Sequence, residues 1–213
     1  RAASRGGTGR GREERGRDAR GRMAFLFKHK VRSPVEQVKQ IGDDLAEVGV
    51  PRWNKHADNK ADPKRGPVRE QSLARAAKHI GQLRRMVEGM PLNQSADTPK
   101  GASEREGGAS TSQQAADLAI LEMCKNGLIH QLCATLSILD MDSCKDITAC
   151  VNAAIHSTID GDRPGVEYLL ENQHIFDILS AGYKSDSTAL HCGAIIQESA
   201  RHPELARVML LDP

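Results

Sequence analysis

The chain has 213 residues, enough for one to one and a half average domains, and 38% of them are apolar (about 47% with glycine), which excludes disorder along its whole length. Only six residues are aromatic (Phe25, Phe27, Trp53, Tyr168, Phe176, Tyr183), so the core must be built from Leu, Ile, Val, Ala and Met, a composition better suited to packed helices than to a β-sandwich. The net charge of +2 hides a split: residues 1–112 carry 24 Lys and Arg against 14 acids, residues 113–213 carry 6 against 14, and the acidic second half confines any phosphate binding to the first.

Residues 1–22 hold eight arginines, three acids and almost nothing apolar, so they are expected to be disordered. Because the chain opens on Arg1 and meets its first methionine at Met23, they are read as a translated upstream stretch or an unstructured extension. Glu13, Glu14 and Asp18 argue against a mitochondrial transit peptide, and only Arg5-Gly6-Gly7 forms a full arginine-glycine triplet. Residues 23–90 are expected to form the N-terminal helices. The first begins at Ser33-Pro34-Val35-Glu36, which combines an N-cap, a proline at the first helical position and a capping box. Val35, Val38, Ile41, Leu45 and Val48 then recur at helical spacing until Gly49-Val50-Pro51. A linker is predicted at 49–67. A second helix follows over 68–88, with Leu73, Ala77, Ile80, Leu83 and Val87 on its apolar face.

Residues 91–112 read as a low-complexity linker, and the segment 113–213 as short helices with tight connections. Leu118, Leu121 and Cys124 mark the apolar face of a helix over 113–125, closed by Asn126-Gly127. Further helices are predicted at 128–139, 143–157, 164–170, 174–183 and 187–201, with a last one opened by His202-Pro203. Asn126-Gly127-Leu128-Ile129 is echoed 46 residues later by Asn172-Gln173-His174-Ile175, and Cys150 and Cys192 lie 42 apart in comparable helices. Such a period belongs to armadillo and HEAT repeats, whose units bury their apolar faces only by stacking. The fold class expected is therefore all-α, an armadillo/HEAT-like helical-repeat superhelix.

No constellation with catalytic or metal chemistry stands out. Asp160-Gly161-Asp162 resembles a calcium loop, but Pro164 occupies a ligand position, and Arg163-Pro164 more naturally opens a helix that carries Glu171 away. Asp140, Asp142 and Asp146 fail similarly and are better read as helix starters. His191 and Cys192 are adjacent on one helix and so point about 100° apart, a poor nucleophile and base. The five cysteines, without a C-x-x-C pair, are read as buried free thiols of a reducing compartment. No apolar run approaches the ~18 residues of a membrane span, and Ala24-Phe25-Leu26-Phe27 is too short for a secretory segment. A cytoplasmic protein with no cofactor, no metal and no enzymatic activity is expected.

Met23-Ala24-Phe25-Leu26-Phe27-Lys28 followed by Ser33-Pro34 resembles the start of the calcium-binding protein 39 (Mo-twenty-five-like) family of kinase scaffolds. Pro164-Gly165-Val166-Glu167-Tyr168, Asn172-Gln173, Gly182-Tyr183, Ala189-Leu190-His191-Cys192-Gly193 and Arg201-His202 are similar to its second and third repeats. The resemblance implies a non-catalytic adaptor that binds STRAD pseudokinases, thereby activating liver kinase B, and that binds germinal-centre-type kinases. His156-Ser157 and Gln197 stand where the family tends to carry arginines. The resemblance also implies further repeats and a pocket for a Trp-Glu-Phe kinase tail beyond Pro213, so no pocket residue is carried over, and the chain expressed alone is expected to associate. In three-helix repeats the third helix lines the concave face, which makes Asn152, His156, Gln197 and Arg201 the candidate partner contacts. The reading from another class is a nucleic-acid-associated protein acting through its basic N-terminal half.

Overall fold

In the computed structural model the described residues are 32–50, 68–90 and 108–211. Among them nine helices follow one another: α1 (Pro34–Glu47), α2 (Val68–Val87), α3 (Gly108–Lys125), α4 (Leu128–Thr135), α5 (Met141–His156), α6 (Pro164–Glu171), α7 (His174–Tyr183), α8 (Ala189–Ser199) and α9 (Pro203–Leu211). All belong to one compact unit, Arg32–Pro213. The expectations for residues 1–22, 51–67 and 91–107 lie outside the described residues. Among the described residues there is no strand, only an isolated bridge between Ile159 and Asp162 that closes the turn before α6.

Local chemistry sets the helix boundaries. Ser33 Oγ accepts from the Glu36 N–H at 3.3 Å while the Glu36 carboxylate accepts from the Ser33 N–H at 3.2 Å, so two of the orphan donors at the α1 start are satisfied reciprocally. Asp140 caps α5, its Oδ1 accepting from the Asp142 and Ser143 N–H groups at 3.0 and 2.9 Å. These bonds, led by the one from Ser143, hold its carboxyl below the usual range. Gly127 adopts φ 66°, which stops α3 and turns the chain directly into α4.

Packing then repeats in threes. α3, α4 and α5 form one unit and α6, α7 and α8 the next, stacked so that α3 meets α6, α4 meets α7 and α5 meets α8. α1 and α2 hold the second and third positions of a preceding unit, against α4 and α5, and α9 follows α6 as the first helix of another. The repeat predicted from Asn126 and Asn172 is thus a structural one. Counted from the helix starts, Cys192 corresponds to Cys144, each the fourth residue of its helix, while counted from the helix ends it falls beside Cys150. The core runs continuously through the stack, with Ile41, Leu45, Ile80, Leu83, Met123, Leu132, Ile147, Ile155, Leu169 and Ile175 essentially without exposed surface. Each such side chain contributes about 1.5–3 kcal/mol of burial.

Two apolar faces differ from expectation. On α3 the buried residues are Ala116, Ala119, Ile120 and Met123, while Leu118 and Leu121 are 41% and 42% exposed and Cys124 is half-buried. On α2, Ile80, Leu83 and Val87 are buried as predicted, but Ser72, Ala76, His79 and Met86 join them and Leu73 and Ala77 are half-buried. Both helices are packed on several sides, and close neighbours select small residues over large ones. Val35 is likewise 41% exposed, at the edge of α1. α3 also begins at Gly108, inside the segment read as a linker. One contact between units is especially tight: a Cβ on Gly165 would lie 2.1 Å from the Ala154 carbonyl oxygen, so α6 approaches the α5 backbone as only glycine allows.

Candidate functional site

The third helices α2, α5 and α8 stand side by side in one row. Arg84 Nη1 of α2 reaches Asp146 Oδ1 of α5 at 2.8 Å, and Thr148 Oγ1 of α5 pairs with His191 Nδ1 of α8 at 3.2 Å. On α5 the outward stripe is Met141, Lys145, Thr148, Asn152 and His156, at three- and four-residue spacing. On α8 it is Leu190, Ala194 and Gln197, continued by Arg201. Its apolar end is Met141 and Leu190, 53% and 74% exposed.

Its polar end is an ionic cluster. His156 Nε2 lies 3.0 Å from Glu198 Oε2, and Arg201 Nη1 lies 3.2 Å from the same oxygen. The His156 and His202 ring centroids are 6.5 Å apart. Arg163, from the turn before α6, contacts His202 Nδ1 at 3.4 Å and pairs with Glu204 of α9. Glu204, the second residue of α9, has its carboxyl held below the usual range by its own backbone N–H and by Arg163. The two arginines balance the charge of the two glutamates.

All four sequence-predicted contacts sit on this row. His156 and Arg201 are joined through Glu198, Gln197 is exposed beside it, and Asn152 lies one turn before His156. Arg201 belongs to the turn after α8 rather than to the helix, which ends at Ser199. The Oδ1 of Asn152 is buried with no hydrogen-bond donor facing it among the described residues. Glu198, Arg163, His202 and Glu204 escaped the sequence reading. Glu198 could have been found as the i−3 partner of Arg201. Arg163 meets residues 39 and 41 positions away, which no local pattern announces.

The groups weighed for chemistry have other work. Burial pushes the thiols of Cys124 and Cys133 up to about 12 and that of Cys150 higher, so they stay protonated at neutral pH. His191 turns to Thr148 and to Met141 Sδ, at 3.2 and 3.0 Å, while the Cys192 thiol packs against Gly182. They form no nucleophile and base pair. Asp160 and Asp162 lie in the bridged turn, with Asp160 at φ 53°, and α6 leads away from them. Among the described residues no group of three or more His, Cys, Asp or Glu is arranged to hold a metal ion, and no helix is long and apolar enough to cross a membrane.

Residues 25–213 match the family model described as Mo25-like. The chain is 34% identical over 102 residues to the degreening-related gene dee76 protein of Auxenochlorella protothecoides, covering 47% of this chain and 32% of that protein. It is 35% identical over 89 residues to the human calcium-binding protein 39-like, covering 42% and 26% respectively. To MO25-like protein 2 of Caenorhabditis elegans it is 24% identical over 185 residues, covering 87% and 47%. It therefore spans less than half the length of these relatives. A helical repeat with this stacking order, matched over nearly its whole length, makes the chain a member of the Mo25-like family.

Proposed function

We propose that the protein is a non-catalytic cytoplasmic scaffold that binds protein kinases or pseudokinases, of the STRAD, liver kinase B and germinal-centre classes, and activates them. Membership in the Mo25-like family supports a scaffold role in general. The observation that carries the reading further is the row of third helices, which offers a stripe graded from Met141 and Leu190 to the His156, Glu198 and Arg201 cluster. His156 and Glu198 hold each other across neighbouring units, so at that end a partner meets a preformed surface and a smaller ordering cost. The nucleic-acid alternative is weakened on α2, where Arg75 pairs with Glu47 and Asp44, and Arg84 with Asp146 and Glu88.

The test is titration of the 213-residue chain with a purified STRAD pseudokinase, followed by calorimetry. Saturable binding is expected, weakened about tenfold (~1.4 kcal/mol) or more by Gln197→Glu with Arg201→Glu. Absence of binding, or affinity unchanged in that variant and in Asn152→Arg, overturns this placement of the site. RNA affinity falling steeply with salt would favour the alternative.

A further inference from the structure

Most cations of the described residues are paired. Arg75, Arg84, Lys125, Lys145, Arg163 and Arg201 each meet a carboxylate. Lys78 and Arg85 of α2 do not: both are exposed, and neither has a carboxylate partner among the described residues. Seven residues apart, they share the outward face of α2 and stand about 10 Å from each other along it. Ala76, Ile80 and Leu83 fill the opposite face. Between the two cations comes Gly81, where a Cβ would lie 3.1 Å from Asp146 Oδ2 of α5. The stripe is therefore cationic at both ends and has no side chain in its middle. The carboxylates nearby are engaged, Asp146 and Glu88 by Arg84 and Asp142 by Lys145.

Met141, 53% exposed, adjoins this stripe. Equivalent helices of the repeat run the same way, as Thr148 on His191 and His156 on Glu198 show for α5 and α8. Lys78 is three residues before Gly81 and Met141 five before Asp146, so both lie roughly 5–8 Å short of that contact on neighbouring helices.

We propose that Lys78 and Arg85 receive an acidic helix of a partner protein, laid along α2 with carboxylates two turns apart and an apolar side chain over Met141. The inference deepens the scaffold reading and rests on it for one point, that the row of third helices is a docking face. Charge complementarity selects the occupant, and carboxylates seven residues apart on a helix repeat the spacing of the two cations. The longer segments of this chain outside the described residues do not fit. Residues 1–31 hold ten bases against three acids, 51–67 hold five against two, and 91–107 hold two against three. A phosphate backbone fits less well too, because its affinity grows with the number of phosphates neutralised and Met141 offers it nothing.

The experiment titrates the full chain with a helical peptide of Glu, Leu and Ala carrying glutamates a heptad apart, and with its Gln counterpart. The Glu peptide is expected to bind at least about tenfold more tightly. Lys78→Glu with Arg85→Glu should remove that preference. Lys184→Glu with Arg207→Glu, at exposed cations of other helices without a carboxylate partner among the described residues, should leave it intact. Unchanged urea midpoints check that both variants fold. A purified STRAD pseudokinase gives the second readout, its affinity falling about tenfold in Lys78→Glu with Arg85→Glu. Equal affinity for the two peptides, or a preference that survives that variant, overturns the proposal. So does tighter binding of an oligouridine through the same residues, or a dimer of this chain in light scattering that the variant dissociates. The scaffold reading fails separately: a Glu-peptide preference without STRAD binding keeps this surface and rejects that partner. STRAD binding weakened at Gln197 and Arg201, with no peptide preference, rejects this surface alone.

Discussion

Two junctions in the molecule hold buried histidines by opposite means. Between α1 and α2 the contact is a polar network: His79 Nδ1 donates to Asp44 Oδ2 at 2.8 Å, and Arg32 donates to its Nε2 at 2.6 Å, which assigns the ring proton to Nδ1. Arg75 reaches Asp44 and Glu47, Ser72 donates to Glu47 at 2.7 Å, and Gln37 donates to the His79 carbonyl at 2.8 Å. Between the α3–α5 and α6–α8 units the contact is close and largely apolar, with Gly165 against the α5 backbone, His130 against His174, and the His156–Glu198 pair at the rim. The first junction depends on every polar partner being present. The second depends on shape.

The difference can be broken most severely at Asp44, which is 1% exposed. Asp44→Leu leaves the buried His79 Nδ1–H without its acceptor, while the half-exposed Arg75 keeps Glu47, and is expected to cost about 3 kcal/mol in urea unfolding. Gly165→Ala attacks the other junction and should cost about 3 kcal/mol, because backbone rather than a movable side chain blocks the new methyl. Gly193→Ala, whose methyl meets only the exposed Tyr183 ring at 2.9 Å, should cost below about 1 kcal/mol and shows whether backbone approach is what matters.

Acid distinguishes the junctions next. His130 has its folded pKa lowered to about 4 against 6.5 unfolded, so in that interval the unfolded chain binds more protons and stability rises with pH. Its contribution is complete above pH 6.5 and is lost as the pH falls toward 4, by about 3 kcal/mol, which urea midpoints across that range will show as a slope reduced in His130→Asn. Ser33→Ala, removing the capping box of α1, should cost about 1 kcal/mol. The smallest effect is expected at the rim, where His156→Gln should change stability by less than about 0.5 kcal/mol because His156 is half exposed. A larger loss there would mean that ion pairs, not packing, hold the stack.

How far these junctions were legible depended on the range of the interaction. The capping box at Ser33, the proline start of α6, the glycine stop at 127 and the helix at 174–183 follow from residues within one turn of each other. On the candidate site, spacing alone placed Asn152, His156, Gln197 and Arg201 on one row. It missed Glu198 as the hub, and it missed Arg163 and Glu204, which arrive from the neighbouring helices.

The sequence by itself determined that the protein is all-helical, roughly where each helix begins and ends, and that units recur about every 46 residues, because capping, proline and glycine geometry and hydrophobic periodicity act over a few bonds. The tertiary structure alone decided which side of α3 is inside, with Ala116 and Ala119 buried and Leu118 and Leu121 outside. It also decided that Arg163 meets Glu204, and that His130 meets His174. The physical reason is common to all three. A helix periodicity fixes directions around one axis, whereas burial depends on how closely a second axis approaches, and where helices crowd, the smaller residue wins the inside position.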